Sequence, residues 1–311
     1  MIQTQLVGFT NSRNRLAGTI VAVLSSCILF GAGIANAQVI IDSDGFESVG
    51  LPPTGSGYDT TFAPGGGLPV GSLEGQHASL PGDSTTAPWL ASLGTDSTAV
   101  VQTTTVNTGS QAIEVHRETG DSPSFWGVPV TAWPDSARFV CIEWDMYVEG
   151  PVGTPGPDFG PYFGVDAIDD ASVTGSDFGL IGSLGVLATS GDVVYTDETG
   201  SLAPTGSTVG FGAWHHFHID LDFDLQVYSV ILDTVPLLTE PFVGTVSGGL
   251  TLEDFSDAPL GTFAAGVDLP ATAYFDNYIV YQLNTKIPEP TTMAMGLIAL
   301  ISMSSVSRRR R

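Results

Sequence analysis

Arg138-Phe139-Val140-Cys141-Ile142-Glu143-Trp144-Asp145-Met146-Tyr147-Val148-Glu149 is the stretch on which the fold turns. Val140, Ile142, Trp144, Met146 and Val148 are all apolar, and they alternate with Cys141, Glu143, Asp145, Tyr147 and Glu149. Successive side chains of a strand point to opposite faces, so this period of two describes a strand with one face in a core and the other toward water. The pattern returns after Trp214, where Phe217, Ile219, Leu221, Phe223 and Leu225 alternate with His216, His218, Asp220, Asp222 and Asp224. A further strand over 227–232 turns at Asp233-Thr234 into 235–238, which reads as an antiparallel meander. Residues 273–282 make a closing strand, and others are expected at 99–106, 111–116, 162–168, 180–188 and 192–196. Helical periodicity is absent between Gln38 and Ile287, so the body reads as an all-β sandwich of antiparallel strands. Residues 51–86 and 150–160, dense in Gly and Pro, read as loops that cannot form a central strand.

The amino end carries an export signal. Arg13 and Arg15 precede an uncharged apolar run over 16–34, and Ala35-Asn36-Ala37 is a small-x-small cleavage site, which predicts a mature start at Gln38. A competing reading takes Leu24-Ser25-Ser26-Cys27 as a lipoprotein signal with Cys27 acylated. After Cys27 the only cysteine is Cys141, so no disulfide forms within one mature chain, and in its β-branched surroundings Cys141 reads as packing.

The charge is concentrated in the body. Of 33 acidic residues only Glu289 lies outside residues 38–287, and of nine basic ones only Arg117, Arg138 and Lys286 lie inside, so 32 acidic groups face three basic ones at a formal −29. Such a surface repels nucleic acid, which is excluded as a partner, and it disfavours anionic lipid. Divalent cations and uncharged glycans are the compatible partners.

The last 25 residues have three parts: Pro288-Glu289-Pro290, a mostly apolar run over 291–306, and Arg308-Arg309-Arg310-Arg311. Two prolines around a glutamate block helix and sheet, leaving an exposed extended segment. In lipid the apolar run must be a helix, and the four arginines hold its end in the cytoplasm. This tail resembles the PEP-CTERM sorting signal of bacteria that make extracellular polysaccharide. The resemblance implies an exosortase that recognises Pro288-Glu289-Pro290 and removes the helix, so the protein is held in the inner membrane only during sorting and ends at the cell surface or in the matrix. A plain C-terminal anchor is the other reading. At about 1.5 Å per residue the run reaches roughly 24 Å, short of the roughly 30 Å hydrocarbon core, which suits a temporary hold. The expected layout is therefore a signal peptide over 1–37, a sandwich over 38–286 and a sorting signal over 287–311.

The body resembles concanavalin-like and laminin-G-like jelly-roll domains through Asp44-Gly45-Phe46-Glu47-Ser48, Gly109-Ser110-Gln111-Ala112-Ile113, Trp214-His215-His216-Phe217, Tyr228-Ser229-Val230-Ile231-Leu232-Asp233 and Ala273-Tyr274-Phe275-Asp276-Asn277-Tyr278. The resemblance implies two curved antiparallel sheets with a concave face that binds carbohydrate in many relatives. It also implies a Ca²⁺ held by one acidic residue near the first strand and one on the last, here Glu47 and Asp276. Asp42-Ser43-Asp44-Gly45 is too short for an EF-hand loop.

Chemistry is harder to read than location. Laminarinase-like hydrolases of this fold carry Glu, Asp and Glu on one strand at closer spacing than Glu143, Asp145 and Glu149. Retaining hydrolysis needs two carboxyls about 5.5 Å apart. Glu143 and Glu149 are six residues apart, about 20 Å at about 3.3 Å per residue. No catalytic residue is assigned. Three carboxylates at 220, 222 and 224 stand too far apart on a strand to share one cation, and His215, His216 and His218 lack a fourth ligand at zinc spacing. The glycan-contact candidates are Glu143, Asp145 and Tyr147 on the wet strand face, with Trp126 and Trp133 in Pro-flanked segments; Trp144 and Trp214 are expected in the core. The expected role is a glycan-binding or structural module, and the alternative is a glycoside hydrolase or lyase acting on a matrix polysaccharide.

Intact-mass measurement on protein from its native host tests the sorting signal. The mature chain is expected to end near Pro290; a mass that retains Arg308 to Arg311 contradicts exosortase processing and leaves a plain anchor.

Overall fold

The computed structural model describes residues 37–47, 58–80, 85–94, 96–130, 138–154, 159–169, 179–244 and 252–283. Residues 1–36 of the expected signal peptide, the sorting tail with Pro288, Glu289, Pro290 and Arg308 to Arg311, and the candidate Trp133 lie outside these residues. Among the described residues no helix is long and apolar enough to cross a membrane.

The regular structure is β. In chain order the strands are β1 (Ala37–Asp42), β2 (His77–Leu80), β3 (Thr85–Pro88), β4 (Leu90–Leu93), β5 (Thr98–Gln102), β6 (Ala112–Arg117), β7 (Ser124–Gly127), β8 (Phe139–Val148) and β9 (Tyr162–Ile168). They continue as β10 (Leu180–Leu187), β11 (Asp192–Thr196), β12 (Leu202–Thr208), β13 (Trp214–Asp222), β14 (Val227–Leu232), β15 (Val235–Pro241), β16 (Leu260–Phe263) and β17 (Ala271–Leu283). One sheet runs β15-β14-β13-β8-β17-β1-β2-β3, with β6 also on β17 and β5 on β6; the other runs β12-β11-β10-β9-β16-β7-β4. The central ladders, β13 to β8 and β8 to β17, are antiparallel.

One core lies between the two sheets. Val140, Ile142, Trp144, Met146 and Val148 of β8 are all buried, as the alternation requires, and they share one core with Phe163, Val165 and Ala167 of β9 and Ile181, Leu184 and Val186 of β10. Trp144 stacks on Phe217 of β13 with ring centroids 5.6 Å apart. Each such side chain contributes about 1.5–3 kcal/mol by leaving water. Tyr228 of β14 reaches across to the other sheet and donates its hydroxyl to the Thr196 carbonyl. A Cβ on Gly182 would lie 2.6 Å from that ring, so only glycine fits there. Arg117, 1% exposed, ties the end of β6 to the segment before β17 by donating to the Leu269 carbonyl at 3.0 Å and pairing with Asp268 at 2.8 Å.

β17 is the strand that shapes the site. Its first half, Ala271 to Phe275, pairs with β6. Its register on β8 shifts between Asp276 and Ile279, and Asn277 in that bulge takes a left-handed φ of 51°. Past the bulge the Tyr278 carbonyl accepts the Ser43 N–H at 3.0 Å, and β1 replaces β6 as neighbour. A bulge adds a residue and bends the strand, which is how one strand serves two partners.

Several expectations need correction. Residues 51–86, read as loop, contain β2 and the start of β3, both short and toward the sheet margin. The alternation after Trp214 stops at Asp222, whose Oδ1 accepts the N–H groups of Asp224 and Leu225; Leu225 is 62% exposed rather than buried. Trp126 sits in β7 at 4% exposure inside the core, because β7 places it in the same ladder step as Leu260, so it offers no face to a sugar. Trp214 does the opposite: it pairs with Tyr147 on the outer face, with the parity of His216, and is only half-buried.

Candidate functional site

The outer face of β8 and its two neighbours carries the polar residues. In one row Asp145 of β8 faces His216 of β13 and Asp276 of β17; in the next, Glu143 faces His218 and Ile279. The 3₁₀ turn Asp44–Phe46 and the segment joining β5 to β6 rise beside this face. They turn it into an open depression of about 590 Å³, with Glu143, Asp145, His216 and Asn277 on one side and Asp44 and Glu47 on the other.

Every oxygen of Asp145 is engaged. Oδ1 accepts the His216 Nδ1–H at 2.8 Å, and Oδ2 accepts the side-chain amides of Asn107 at 2.7 Å and Asn277 at 2.6 Å. His216 reaches Glu143 with Nε2 at 3.5 Å. Its hydrogen bonds to Asp145 and Glu143 outweigh its partial burial and push its pKa up to about 10, so the ring is a cation with both N–H groups donating. Burial works against the charge on Glu143. His216, the nearby His218 and the Tyr281 hydroxyl, which donates to Glu143 Oε1, overcome it and hold the carboxyl at about 2. Hydrogen bonds and cations aimed at the charged form have this effect.

Glu47 and Asp276 come to the same corner of the cleft, both close to Gly45. Asp276, fully buried, accepts the backbone N–H groups of Asn107 and Thr108 at 3.0 Å each through Oδ2 and its neighbour's N–H at 2.8 Å through Oδ1. Glu47 accepts the N–H groups of Ser110 and Gln111 and the Ser110 hydroxyl. The two carboxylates therefore hold down the segment between β5 and β6. For Ca²⁺, the ion the family resemblance implies, the fit is poor: each oxygen already faces a donor, and no three acidic, His or Cys groups described in this cleft bring ligand atoms within 4.8 Å of one another. Burial pushes Asp276 up to about 6 against the pull of its three N–H donors, and the charge of Asp145 adds to the rise.

One same-face step from Asp145, about 6.6 Å along the strand, lies Tyr147. It packs against Trp214 with centroids 5.7 Å apart and against Tyr274 at 5.6 Å, so an aromatic row borders the acidic rows. Of the sequence candidates, Glu143, Asp145 and Tyr147 share this face, Glu47 and Asp276 support it, and Trp126 is remote in the core. Reasoning from sequence missed His216, Asn107, Asn277 and Trp214. Parity along β13 carries the signal for His216 and Trp214; nothing in the sequence marks the two asparagines.

No family model and no curated protein sequence matches the chain. Among solved structures it is similar to an endo-β-1,4-glucuronan lyase from the fungus Trichoderma reesei, at 13% identity and TM-score 0.45 over 62% of this chain and 91% of that one. It is similar to the cellulose induced protein Cip1 at 17% identity and TM-score 0.45, over 64% and 92%. It is similar to a sialidase at 10% identity and TM-score 0.44, over 62% of this chain but 16% of that one. The functional reading rests on the cleft's own residues.

The carboxyls set the pH dependence of stability. Asp276 keeps its proton up to about 6 and Asp166, raised by burial, up to about 7, whereas both release it near 3.8 when unfolded. The folded state thus binds more protons across that window, and stability falls as pH rises through it. Glu143, held at about 2, contributes above about 4.5 and is lost as pH falls through 2. His216 works the same way as the raised acids, its contribution fading as pH rises through 10. Urea midpoints are expected to be higher at about pH 5 than at about pH 7.5, and Asp276→Asn is expected to flatten that rise. Equal midpoints in the wild type contradict this assignment.

Proposed function

We propose that this chain is an exported cell-surface or exopolysaccharide-matrix module whose jelly-roll body binds an uncharged glycan without cleaving it. One observation carries the reading: beside the aromatic row of Tyr147, Trp214 and Tyr274, Glu143 is held ionised and every oxygen of Asp145 already accepts a donor. Glycosidic cleavage requires one carboxyl that keeps its proton near neutral pH and another free to attack or activate water. Glu143 sits at about 2, and Asp145 accepts three side-chain donors. Glu143 presents an acceptor to sugar hydroxyls, and the half-buried faces of Tyr147 and Trp214 suit the apolar side of a pyranose. The formal −29 of the body and the acidic cleft favour a neutral polymer over a uronate chain. The sorting tail supports delivery to the surface, with an exosortase as processing partner and the inner membrane as a transient hold.

Neutral oligosaccharides on an array, followed by calorimetry, test this proposal. Binding is expected without release of reducing ends or unsaturated products, and Trp214→Ala is expected to weaken it about tenfold, roughly 1.4 kcal/mol. Product release that Glu143→Gln abolishes overturns the binding reading in favour of a hydrolase or lyase.

A further inference from the structure

Beside the cleft, on the same outer face, Cys141 of β8 stands directly opposite Asp220 of β13, with His218 two residues along that strand. The Cys141 Sγ–H donates to Asp220 Oδ1 at 2.9 Å, and His218 Nε2 shares that oxygen at 2.7 Å. One ligand atom from each of the three side chains lies within 4.8 Å of the other two, and this is the one such set among the described residues. The set joins two strands, so no spacing along the chain announces it. That is why the histidines alone read as lacking ligands.

We propose that Cys141 Sγ, His218 Nε2 and Asp220 Oδ1 form a three-ligand site for a divalent, borderline-soft metal ion of the zinc type, with a fourth position open to water or ligand. A tetrahedral zinc with bonds of about 2.0–2.3 Å needs its ligand atoms roughly 3.3–3.6 Å apart, so the group must open by about half an ångström from its hydrogen-bonded spacing. The thiol and imidazole exclude Ca²⁺, which takes oxygen ligands.

Three features around the set favour a metal. Thiolate and carboxylate together match the ion's double charge, whereas without metal a thiol lies between Asp220 and Glu143. Glu143 Oε1 stands 3.8 Å from His218 Nδ1, on the far side of the ring from the proposed metal, where a carboxylate orients a ligating histidine. Tyr281 donates to that carboxylate, so β17 supports the arrangement. Cys141 is 1% exposed, while the Asp220 side chain is 29% exposed, which leaves an approach from solvent on the carboxylate side.

Binding is coupled to protons. Burial and the Asp220 and Glu143 charges raise the Cys141 thiol well above its usual range. Burial of His218 opposes its charge, but Asp220, then Glu143, prevail over burial and the like charge of His216 and raise it. The incoming metal displaces the Cys141 proton and the His218 Nε2 proton to solvent, and no electron is transferred. Affinity therefore increases with pH.

The test uses the full chain with Cys27→Ser, so that Cys141 is the only thiol, stripped of metal under reducing conditions and titrated with Co²⁺. Saturation at one Co²⁺ per chain is expected, with a near-ultraviolet thiolate-to-cobalt absorption band that Zn²⁺ removes. Asp220→Asn is expected to weaken binding at least tenfold, and Cys141→Ser to lose the band, with metal-free melting curves reporting whether each variant folds. Should either variant misfold, the band in the parent chain still decides. No saturable binding, saturable binding without a thiolate band, or an unchanged affinity in folded Asp220→Asn overturns the proposal.

Discussion

The buried carboxylate of Asp276 is the interaction on which the site depends. It lies in the bulge where β17 exchanges β6 for β1, a point where ladder hydrogen bonds are broken and backbone groups need other partners. By accepting N–H groups from Asn107 and Thr108, it fixes the β5–β6 connection against the sheet. That brings the Asn107 amide onto Asp145, and the bulge itself brings Asn277 onto the same oxygen. A flat polar sheet face becomes a walled cleft. Burial, helped by the charge of Asp145, raises Asp276 to about 6 against those donors.

An excess of negative charge this large is managed locally. His216 lies between Glu143 and Asp145, His218 between Glu143 and Asp220, His215 against Asp233 and Arg138 against Asp224. The three aspartates of β13 and its turn do three different jobs. Asp220 binds a thiol and an imidazole, Asp222 closes the turn, and Asp224 pairs with Arg138. His216, held protonated by carboxylates on both sides, becomes a fixed cation, and Glu143 beside it becomes a fixed acceptor. That chemistry suits recognition of hydroxyl groups better than proton transfer.

Much of the fold could be read in advance because β8 is long enough for its alternation to be unambiguous. The same parity, applied strictly to β13, places Trp214 outside; assigning it to the core by residue type was the error. β7 has only four residues, too few for a period to emerge, and Trp126 was misplaced for that reason. Of the acidic candidates, Glu143, Asp145 and Glu47 line the cleft, and Asp276 is buried next to Asn277 at its edge. The rest of the cleft was not legible in the sequence. Register across strands decides which histidine meets which carboxylate, and a bulge decides where Asn277 points. Neither is encoded as a spacing along the chain, and the Cys141–His218–Asp220 group was hidden by the same fact.

The account's central claim is that Glu143 and His216, the paired charges at the centre of the cleft, stay fixed through neutral pH. Nuclear magnetic resonance can follow the carboxyl carbon of Glu143 and the ring nitrogens of His216 from about pH 4 to about pH 8, where free groups of these types titrate. The account predicts an ionised Glu143 and a protonated His216 across the whole range. A Glu143 carboxyl or a His216 ring that titrates near neutrality would contradict it, and would place an acid or a base in the cleft.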